Sequence, residues 1–276
     1  METIDRAKSP IGVFDSGVGG VSVLKKLQNT LPNESFIYAA DSANAPYGDK
    51  STDFIEGRTS AMASFLVRSN AKAIVVACNT ATVVAVQALR TKYSIPVIAM
   101  EPAIKPAVQL SRSGVVGVLA TERTLESPAL ATLCRIYGEA VEILLQPCPG
   151  LVELIERGEV ETEATAQLLG GYIEPLLAKG ADTLVLGCTH YVFLSGEIAK
   201  IAGRRVTIVE SSAAVARQLE SRLAATGKLA EGTSKSETRF FTTGSINRVQ
   251  AVVSKLWGAS VSVHAIEAPE VRVSEP

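Results

Sequence analysis

Two cysteines lie in closely matched surroundings, and their positions suggest acid–base chemistry. Cys78 ends the apolar run of "VVACNTAT", Cys188 ends that of "LVLGCTHY", and two polar residues follow each of them. A lone buried cysteine usually behaves as a small hydrophobe, but two in equivalent positions can approach one ligand from opposite sides. One thiolate can then remove a proton from a tetrahedral carbon while the opposite thiol delivers another. Such a pair would invert a stereocentre.

The predicted position of the two thiols also favours their ionisation. Each cysteine directly precedes a predicted helix, where unpaired backbone N–H groups and the helix dipole stabilise a thiolate. A free thiol has a pKa near about 8.5, so modest stabilisation is expected to make a thiolate accessible near neutral pH. The remaining two cysteines, Cys134 and Cys148, have no matching context and are predicted to be packing residues, with Cys148 the closer to a hinge or cleft.

Ten short apolar runs are predicted to be the strands that position these residues. They alternate with stretches whose apolar residues recur every three or four positions, as in 57–71 and 163–180, which predicts helices. This alternation predicts parallel sheets covered by helices, with ligands at the carboxyl ends of the strands. The predicted strands are 11–15, 36–41, 73–78, 97–100, 115–120, 141–146, 183–188, 206–210, 239–243 and 261–266.

The order of these segments suggests a doubled unit. "IGVFDSG" and "VGVLATE" begin the two halves, and the two cysteine segments follow them at nearly equal distances. We therefore predict an α/β fold with two pseudo-symmetric lobes, each a mostly parallel sheet flanked by helices, and an active site in the cleft between them. The predicted first lobe comprises residues 1–101 plus 211–276, the second comprises 102–210, and a two-strand hinge joins them near 101 and 210.

The composition limits the classes of function. The chain has 276 residues, 47% of them hydrophobic and 20% charged, with a net charge of −1, which argues against a dedicated nucleic-acid or membrane surface. The four cysteines form no CxxC pair, so no metal site is expected. The start "METIDRAKSP" lacks the apolar region of a secretory signal, and we expect a cytoplasmic protein whose first residues form a disordered tail.

A resemblance to the glutamate racemases, within the aspartate/glutamate racemase superfamily, rests on six segments. These are "GVFDSGVGGVSV", "DSANAPYGDKS", "VVACNTAT", "MEPAIKPA", "GVLATERTLES" and "LVLGCTHY". The resemblance implies an isomerase that interconverts L- and D-glutamate without pyridoxal phosphate or any other cofactor. It also implies a supply of D-glutamate for bacterial peptidoglycan synthesis and cell shape, and a homodimer.

The resemblance further implies a role for each matching residue. Cys78 is expected to act on D-glutamate with the help of Asp15, and Cys188 on L-glutamate with the help of His190. Glu156, in "LVELIERG", matches an acidic position near the second thiol. The residues expected to hold the ammonium and the two carboxylates of the substrate are Asp15, Ser16, Tyr47, Gly48, Asn79, Thr80, Thr189 and His190.

Some of these residues also have ordinary structural interpretations. Asp15 fits a helix N-cap after its strand, and Tyr47 fits a plain turn residue. The loop 17–22, "GVGGVS", fails the dinucleotide pattern GxGxxG because its sixth residue is serine, although a glycine-rich turn suits a carboxylate equally well. The second histidine, His264, lies in an alternating strand pattern and is predicted to be structural.

Three other functions compete with glutamate racemisation. A sister enzyme on the same scaffold would act on aspartate or a related amino acid. A two-lobed amino-acid-binding protein would bind without chemistry, and it leaves the matched cysteines unexplained. A thiol-redox enzyme would need the Cα atoms of Cys78 and Cys188 within about 4.4–6.8 Å, closer than expected for thiols that hold a substrate carbon between them.

Overall fold

Strands and helices alternate along the chain in the computed structural model, which describes residues 7–230 and 236–266. All ten predicted strands are present, and their ends differ from the predicted ones by at most two residues. The strands are β1 (Ile11–Asp15), β2 (Phe36–Ala40), β3 (Ala73–Val76), β4 (Val97–Ala99), β5 (Val115–Ala120), β6 (Glu142–Pro147), β7 (Thr183–Leu186), β8 (Thr207–Val209), β9 (Thr238–Thr242) and β10 (Val263–Ala265).

Several helices begin where the sequence supplies a capping side chain. The hydroxyls of Ser51, Ser127 and Thr162 each accept the backbone N–H three residues further on. No helix in the described ranges is both long and apolar enough to cross a membrane. The α-helices are α1 (Val21–Thr30), α2 (Thr52–Arg68), α3 (Asn79–Lys92), α4 (Ile104–Leu110), α5 (Glu122–Leu125), α6 (Pro128–Tyr137), α7 (Leu151–Glu156), α8 (Glu163–Ala178), α9 (Ser195–Ala202), α10 (Ser212–Ala225) and α11 (Ile246–Trp257).

The strands form two parallel sheets. The first has the order β10-β9-β2-β1-β3-β4, and the second has the order β6-β5-β7-β8. The arrangement β2-β1-β3-β4 of the first sheet therefore recurs as β6-β5-β7-β8 in the second, and each registered strand pair in both is parallel. This confirms the predicted α/β class with two similar lobes. Strands β9 and β10, from the C-terminal part of the chain, extend the first sheet beyond β2.

The burial of the strands explains their sequence patterns. Strands β1, β2, β3 and β7 are buried along their whole length, because helices cover both faces of a parallel sheet, and they therefore read as continuous apolar runs. Strand β6 lies at the edge of the second sheet and is more exposed. The central strands are thus the rigid elements at whose ends a site can form.

Each sheet has one point at which the direction of winding reverses. From β1 the chain crosses to β2 on one side and then to β3 on the other, and it passes from β5 to β6 and β7 in the same way. In open α/β sheets, ligands bind at the carboxyl ends of the strands at this point. There, Asp15 ends β1 and Cys78 follows β3, while Thr121 follows β5 and Cys188 follows β7.

One hydrophobic core is continuous between the two sheets. It contains Val13 of β1 and Leu186 of β7, together with Val21 of α1 and Leu151 of α7. Two smaller clusters fill the outer faces, one beside the first sheet and one beside the second. Because the shared core packs elements of both lobes together, the carboxyl ends of the two sheets are held close to each other.

Candidate active site

A small cavity lies between the carboxyl ends of the two sheets. Its empty volume is about 250 Å³, and both Cys78 and Cys188 line it. The other predicted site residues that line it are Ser16, Tyr47, Gly48, Asn79, Thr80, Thr189 and His190. Asp15 and Glu156 are not lining residues, because each lies behind one: Asp15 behind Ser16, and Glu156 behind His190.

Three further residues complete the wall of the cavity, namely Pro46, Thr121 and Val152. The sequence analysis did not select them. Thr121 could have been predicted as a site residue, since it directly follows the apolar run of β5 at the carboxyl end of a central strand. Val152 is an apolar residue on α7, and nothing in its surroundings distinguishes it from a core residue.

Cys78 is the residue before α3, and its thiol is held at the start of that helix. Its Sγ accepts the N–H of Ala81 at 3.4 Å and donates to Ser16 Oγ at 3.5 Å. Burial raises the pKa of the Cys78 thiol well above its usual range, and the nearby carboxyl of Asp15 raises it further. The expectation of a readily accessible thiolate is therefore wrong for Cys78, because loss of solvation outweighs the helix N-terminus.

Cys188 has a different environment, since a 3-10 helix (Thr189–Leu194) rather than an α-helix follows it. Its Sγ lies 3.7 Å from His190 Nδ1, and His190 Nε2 lies 2.7 Å from Glu156 Oε1. Burial lowers the pKa of His190, but its bonds to Cys188 and Glu156 outweigh burial and hold that pKa well above its ordinary value. A protonated imidazole donates from both nitrogens, so His190 can bond Cys188 Sγ with one nitrogen and Glu156 Oε1 with the other.

Asp15 organises the loop that follows β1. Its carboxylate accepts the N–H of Gly20 at 2.5 Å and that of Ser16 at 2.8 Å. Gly20, not Asp15, is the N-cap of α1, and no side chain caps that helix, so the interpretation of Asp15 as an N-cap is wrong. Burial raises the pKa of Asp15 to about 6, although His190 and the Gly20 N–H oppose the rise. Asp15 thus holds the loop between β1 and α1 and, at the same time, acts electrostatically on the thiol of Cys78.

The pKa of Asp15 gives a testable dependence of stability on pH. A pKa raised from 3.8 to about 6 means that the folded protein binds this proton more tightly than the unfolded chain does. The resulting stabilisation is complete below about pH 4 and is lost as the pH rises through about 6; it amounts to about 3 kcal/mol. Asp15→Asn does not titrate, so its free energy of unfolding should gain up to about 3 kcal/mol relative to the unsubstituted protein between about pH 4 and pH 7. Urea unfolding measures this, and a pH-independent difference would contradict it.

Glu156 joins the two lobes behind the cavity. Its Oε1 accepts the N–H of Val18, in the loop after β1, at 2.7 Å, and also bonds His190. The glycines of that loop make this approach possible. A Cβ on Gly17 would collide with the carboxylate of Glu156, and one on Gly19 would collide with the imidazole of His190. The glycine-rich loop therefore packs directly against the second lobe.

Tyr47 lines the cavity, but its hydroxyl is bonded elsewhere. Its Oη donates to Asp41 Oδ2 at 2.6 Å, and Asp41 also pairs with both Nε and Nη2 of Arg58, at 2.9 and 2.7 Å. Tyr47 is only 1% exposed, which is inconsistent with a plain turn residue. The side chain therefore fixes the segment that contains Gly48 at the wall of the cavity.

Asn79 and Thr80 begin α3 and line the cavity beside Cys78. Asn79 Nδ2 donates to the carbonyl oxygen of Met100 at 3.3 Å, whereas its buried Oδ1 has no hydrogen-bond partner among the described residues. Thr80 Oγ1 lies 3.0 Å from Thr121 Oγ1, across the cleft. These two residues thus offer an acceptor and a donor at one wall of the cavity.

The remaining cysteines and the second histidine lie apart from the cavity lining. All four cysteines are free thiols. Cys134 lies half-buried on α6, and Cys148 is buried with its thiol donating to the carbonyl oxygen of Gln146. His264 lies on β10 against the ring of Phe241. Between residues 7 and 230 and between 236 and 266, no group of three or more His, Cys, Asp or Glu side chains could hold a metal ion.

Each of the two lobes thus has a parallel sheet and a thiol at the equivalent strand end, and both thiols line one cavity. The sequence pattern described as Asp/Glu/Hydantoin racemase matches residues 11–219, and a curated glutamate racemase from Ectopseudomonas mendocina (strain ymp) is 48% identical over 262 residues, covering 95% of this chain and 99% of that protein. The chain belongs to the Asp/Glu/hydantoin racemase family and, within it, to the glutamate racemases.

Solved structures agree with this assignment. Glutamate racemase isoform RacE1 from Bacillus anthracis superposes with a TM-score of 0.85 at 34% identity, covering 94% of this chain and 97% of that one. Escherichia coli glutamate racemase, in complex with L-glutamate and the activator UDP-MurNAc-ala, superposes with a TM-score of 0.84 at 32% identity, covering 95% and 99%. The similarity therefore extends over both lobes.

Proposed function

We propose that this protein interconverts L- and D-glutamate by moving protons at Cα, with Cys78 and Cys188 as the two acid–base groups. The observation that carries this proposal is that both thiols line one small cavity, each at the equivalent strand end of its own lobe. A carbon held between them would be reached from both faces. No cofactor is required in this scheme, because both proton transfers use side chains of the chain itself.

The free enzyme is proposed to be ready for L-glutamate. Cys188 acts as the base that removes the α-proton, and His190, held protonated by its bonds to Cys188 and Glu156, assists it. The buried Cys78 retains its proton, since burial holds the pKa of its thiol well above the usual range, and it delivers that proton to the opposite face. D-glutamate would react in the reverse direction, with Cys78 as the base.

The substrate itself is proposed to assist Cys78 in that reverse direction. An ammonium group bound near Asp15 and the unpaired Oδ1 of Asn79 would bring a positive charge close to this thiol. An opposite charge favours the ionised form of a neighbouring group. The barrier to forming a thiolate at Cys78 would therefore fall only when the substrate is in place, which limits side reactions of the free enzyme.

The carboxylates are proposed to be held by hydroxyl and backbone donors on both lobes. Ser16, Thr80 and Thr189 line the cavity, and the backbone of Tyr47 and Gly48 forms another wall. Thr121 adds a hydroxyl that the sequence analysis did not include. Donors fixed in advance in a cavity that excludes water stabilise the charge that develops when the α-proton leaves. This stabilisation takes the place of the electron sink that pyridoxal phosphate provides in other racemases.

The wider context of the reaction is also a proposal. The resemblance to enzymes of bacterial cell-wall synthesis supports a supply of D-glutamate for peptidoglycan, a homodimer and a cytoplasmic location. The membership of the two sheets supports a first lobe of residues 1–101 plus 211–276 and a second of 102–210. Residues 1–6, which contain most of the expected N-terminal tail, lie outside the described residues, as do 231–235 and 267–276.

Proton exchange in heavy water tests the proposal. Incubation of the purified protein with L-glutamate should yield D-glutamate with deuterium at Cα, detected by chiral chromatography and mass spectrometry. A folded protein that binds glutamate without exchange would instead be a binding protein. Faster turnover of aspartate than of glutamate would identify the sister activity.

A further inference from the structure

Three threonine hydroxyls meet at the edge of the cavity. Thr80 Oγ1 lies 3.0 Å from Thr121 Oγ1 and 3.4 Å from Thr124 Oγ1, and the Thr121 hydroxyl donates to Thr124 Oγ1 at 3.0 Å. Thr80 lies on α3 beside the first sheet, whereas Thr121 and Thr124 belong to the segment that follows β5 in the second. The hydroxyl cluster therefore bridges the two lobes.

The three residues differ in their access to the cavity. Thr80 and Thr121 line it, but Thr124 is completely buried and is not a lining residue. The backbone of Thr124 is also fixed, since its carbonyl oxygen accepts the hydroxyl of Ser127 at 2.7 Å, and Ser127 caps α6. Thr124 thus contacts the two lining hydroxyls from the side away from the cavity, and its backbone is held in place by Ser127.

We propose that Thr124 is a positioning residue whose buried hydroxyl orients the hydroxyls of Thr80 and Thr121 toward a carboxylate of the substrate. The proposal rests on the proposed function, in which Thr80 and Thr121 bind that substrate. Thr124 itself makes no contact with the substrate in this scheme.

The number of protons that the three hydroxyls can donate limits the bonds they can make. A threonine hydroxyl has one proton to donate and two lone pairs that accept. The three oxygens are close enough to use their three protons among themselves. When a carboxylate enters, Thr80 and Thr121 turn their protons toward it, and their oxygens are left as acceptors. Thr124 cannot turn toward the cavity, so its proton remains available for one of those two oxygens.

This retained bond has two effects on carboxylate binding. A hydroxyl that accepts a hydrogen bond becomes a better donor, because bonds in a chain polarise one another. The bond also restricts rotation of the lining hydroxyls, so less conformational entropy is lost when the carboxylate binds. Without the Thr124 hydroxyl, the hydroxyls of Thr80 and Thr121 can hydrogen-bond to each other, since their oxygens are 3.0 Å apart. That bond would compete with their hydrogen bonds to the substrate.

Removal of the hydroxyl with little change in shape tests the proposal. Thr124→Val should raise KM about tenfold for both enantiomers, with kcat changed by less than about threefold, because the lost interaction binds substrate and transition state alike. Thr124→Ser retains the hydroxyl and should restore KM to within about twofold of the original value. A merely structural role for Thr124 would lower the amount of active enzyme without moving KM.

Thr165→Val is the matched control, since Thr165 is also fully buried and hydrogen-bonded in the second lobe, with its hydroxyl donating to the carbonyl oxygen of Glu159. It should leave KM unchanged even if it lowers the melting temperature.

If Thr124→Val does not fold, Thr124→Ala replaces it, and its KM is compared with that of Thr124→Ser. A folded variant without the hydroxyl that retains the original KM overturns the proposal, as does a serine variant impaired as strongly as the valine variant. Glutamate affinity measured by calorimetry gives the same comparison without turnover, so failure of this proposal and failure of the racemase proposal remain distinct.

Discussion

Replacement of either cavity thiol by a hydroxyl is expected to abolish racemisation. Cys78→Ser and Cys188→Ser should each lower kcat by at least about 10³-fold with both enantiomers, because every turnover needs one group as the base and the other as the acid. A serine hydroxyl is hardly ionised near neutral pH and is therefore a far weaker base than a thiolate. Polarimetry, or chiral chromatography of the product, measures the loss.

Cys134→Ser is the control for this experiment. Cys134 lies half-buried on α6 and does not line the cavity, so its replacement should leave kcat within about twofold of the original value. Circular dichroism and glutamate calorimetry should show that the two inactive variants still fold and bind. A Cys78→Ser or Cys188→Ser enzyme with nearly full turnover would show that the two-thiol scheme is wrong.

A single methyl group on the glycine-rich loop is expected to be almost as damaging. In Gly19→Ala, the added Cβ would lie 2.6 Å from Thr189 Oγ1 and would collide with the imidazole of His190. Gly19 does not have a positive φ, so alanine can adopt its backbone conformation and the effect is purely one of space. Either His190 is displaced from its position between Cys188 and Glu156, or the two lobes cannot pack as closely as they do in this structure. In both cases kcat/KM should fall at least about 100-fold, the range expected for loss of acid–base assistance.

Gly171→Ala controls for the general effect of replacing a glycine. Gly171 lies on α8, and a Cβ at this position would meet nothing within 4 Å. Alanine in a helix interior is expected to stabilise the protein by roughly 0.5–1 kcal/mol relative to glycine and to leave the kinetics unchanged. If Gly19→Ala retained the original kcat/KM, the close packing of the loop against His190 would have no role in the reaction.

The sequence was sufficient to predict the architecture and the two thiols. Short apolar strands that alternate with helical patterns predicted parallel sheets, and the repeat of strand, cysteine and two polar residues predicted matched strand ends. Both predictions depend on local sequence patterns that occur once in each half of the chain. Thr121 was not predicted because no cysteine follows β5. It nevertheless lies at the carboxyl end of a central strand, where ligands are expected, and it lines the cavity.

Features that depend on three-dimensional surroundings did not follow from the sequence. The expectation for Cys78 considered the helix N-terminus but not complete burial, and burial dominates the pKa of the thiol. Tyr47 was expected to bind the substrate, yet its hydroxyl donates to Asp41, which directly follows β2. In both cases the deciding partner or environment is set by packing, which spacing along the chain does not report.

The two thiols have unlike neighbours, and thermodynamics limits what that asymmetry can do. Cys78 lies beside Ser16 and Asp15, and Cys188 beside His190. Because the enantiomers of an amino acid have the same free energy in water, their interconversion has an equilibrium constant of unity. The two values of kcat/KM must then be equal, whatever surrounds each sulfur. Different neighbours can therefore only make one enantiomer bind more tightly and react proportionally more slowly. The duplicated scaffold has thus been free to diversify its two halves without ever favouring one product.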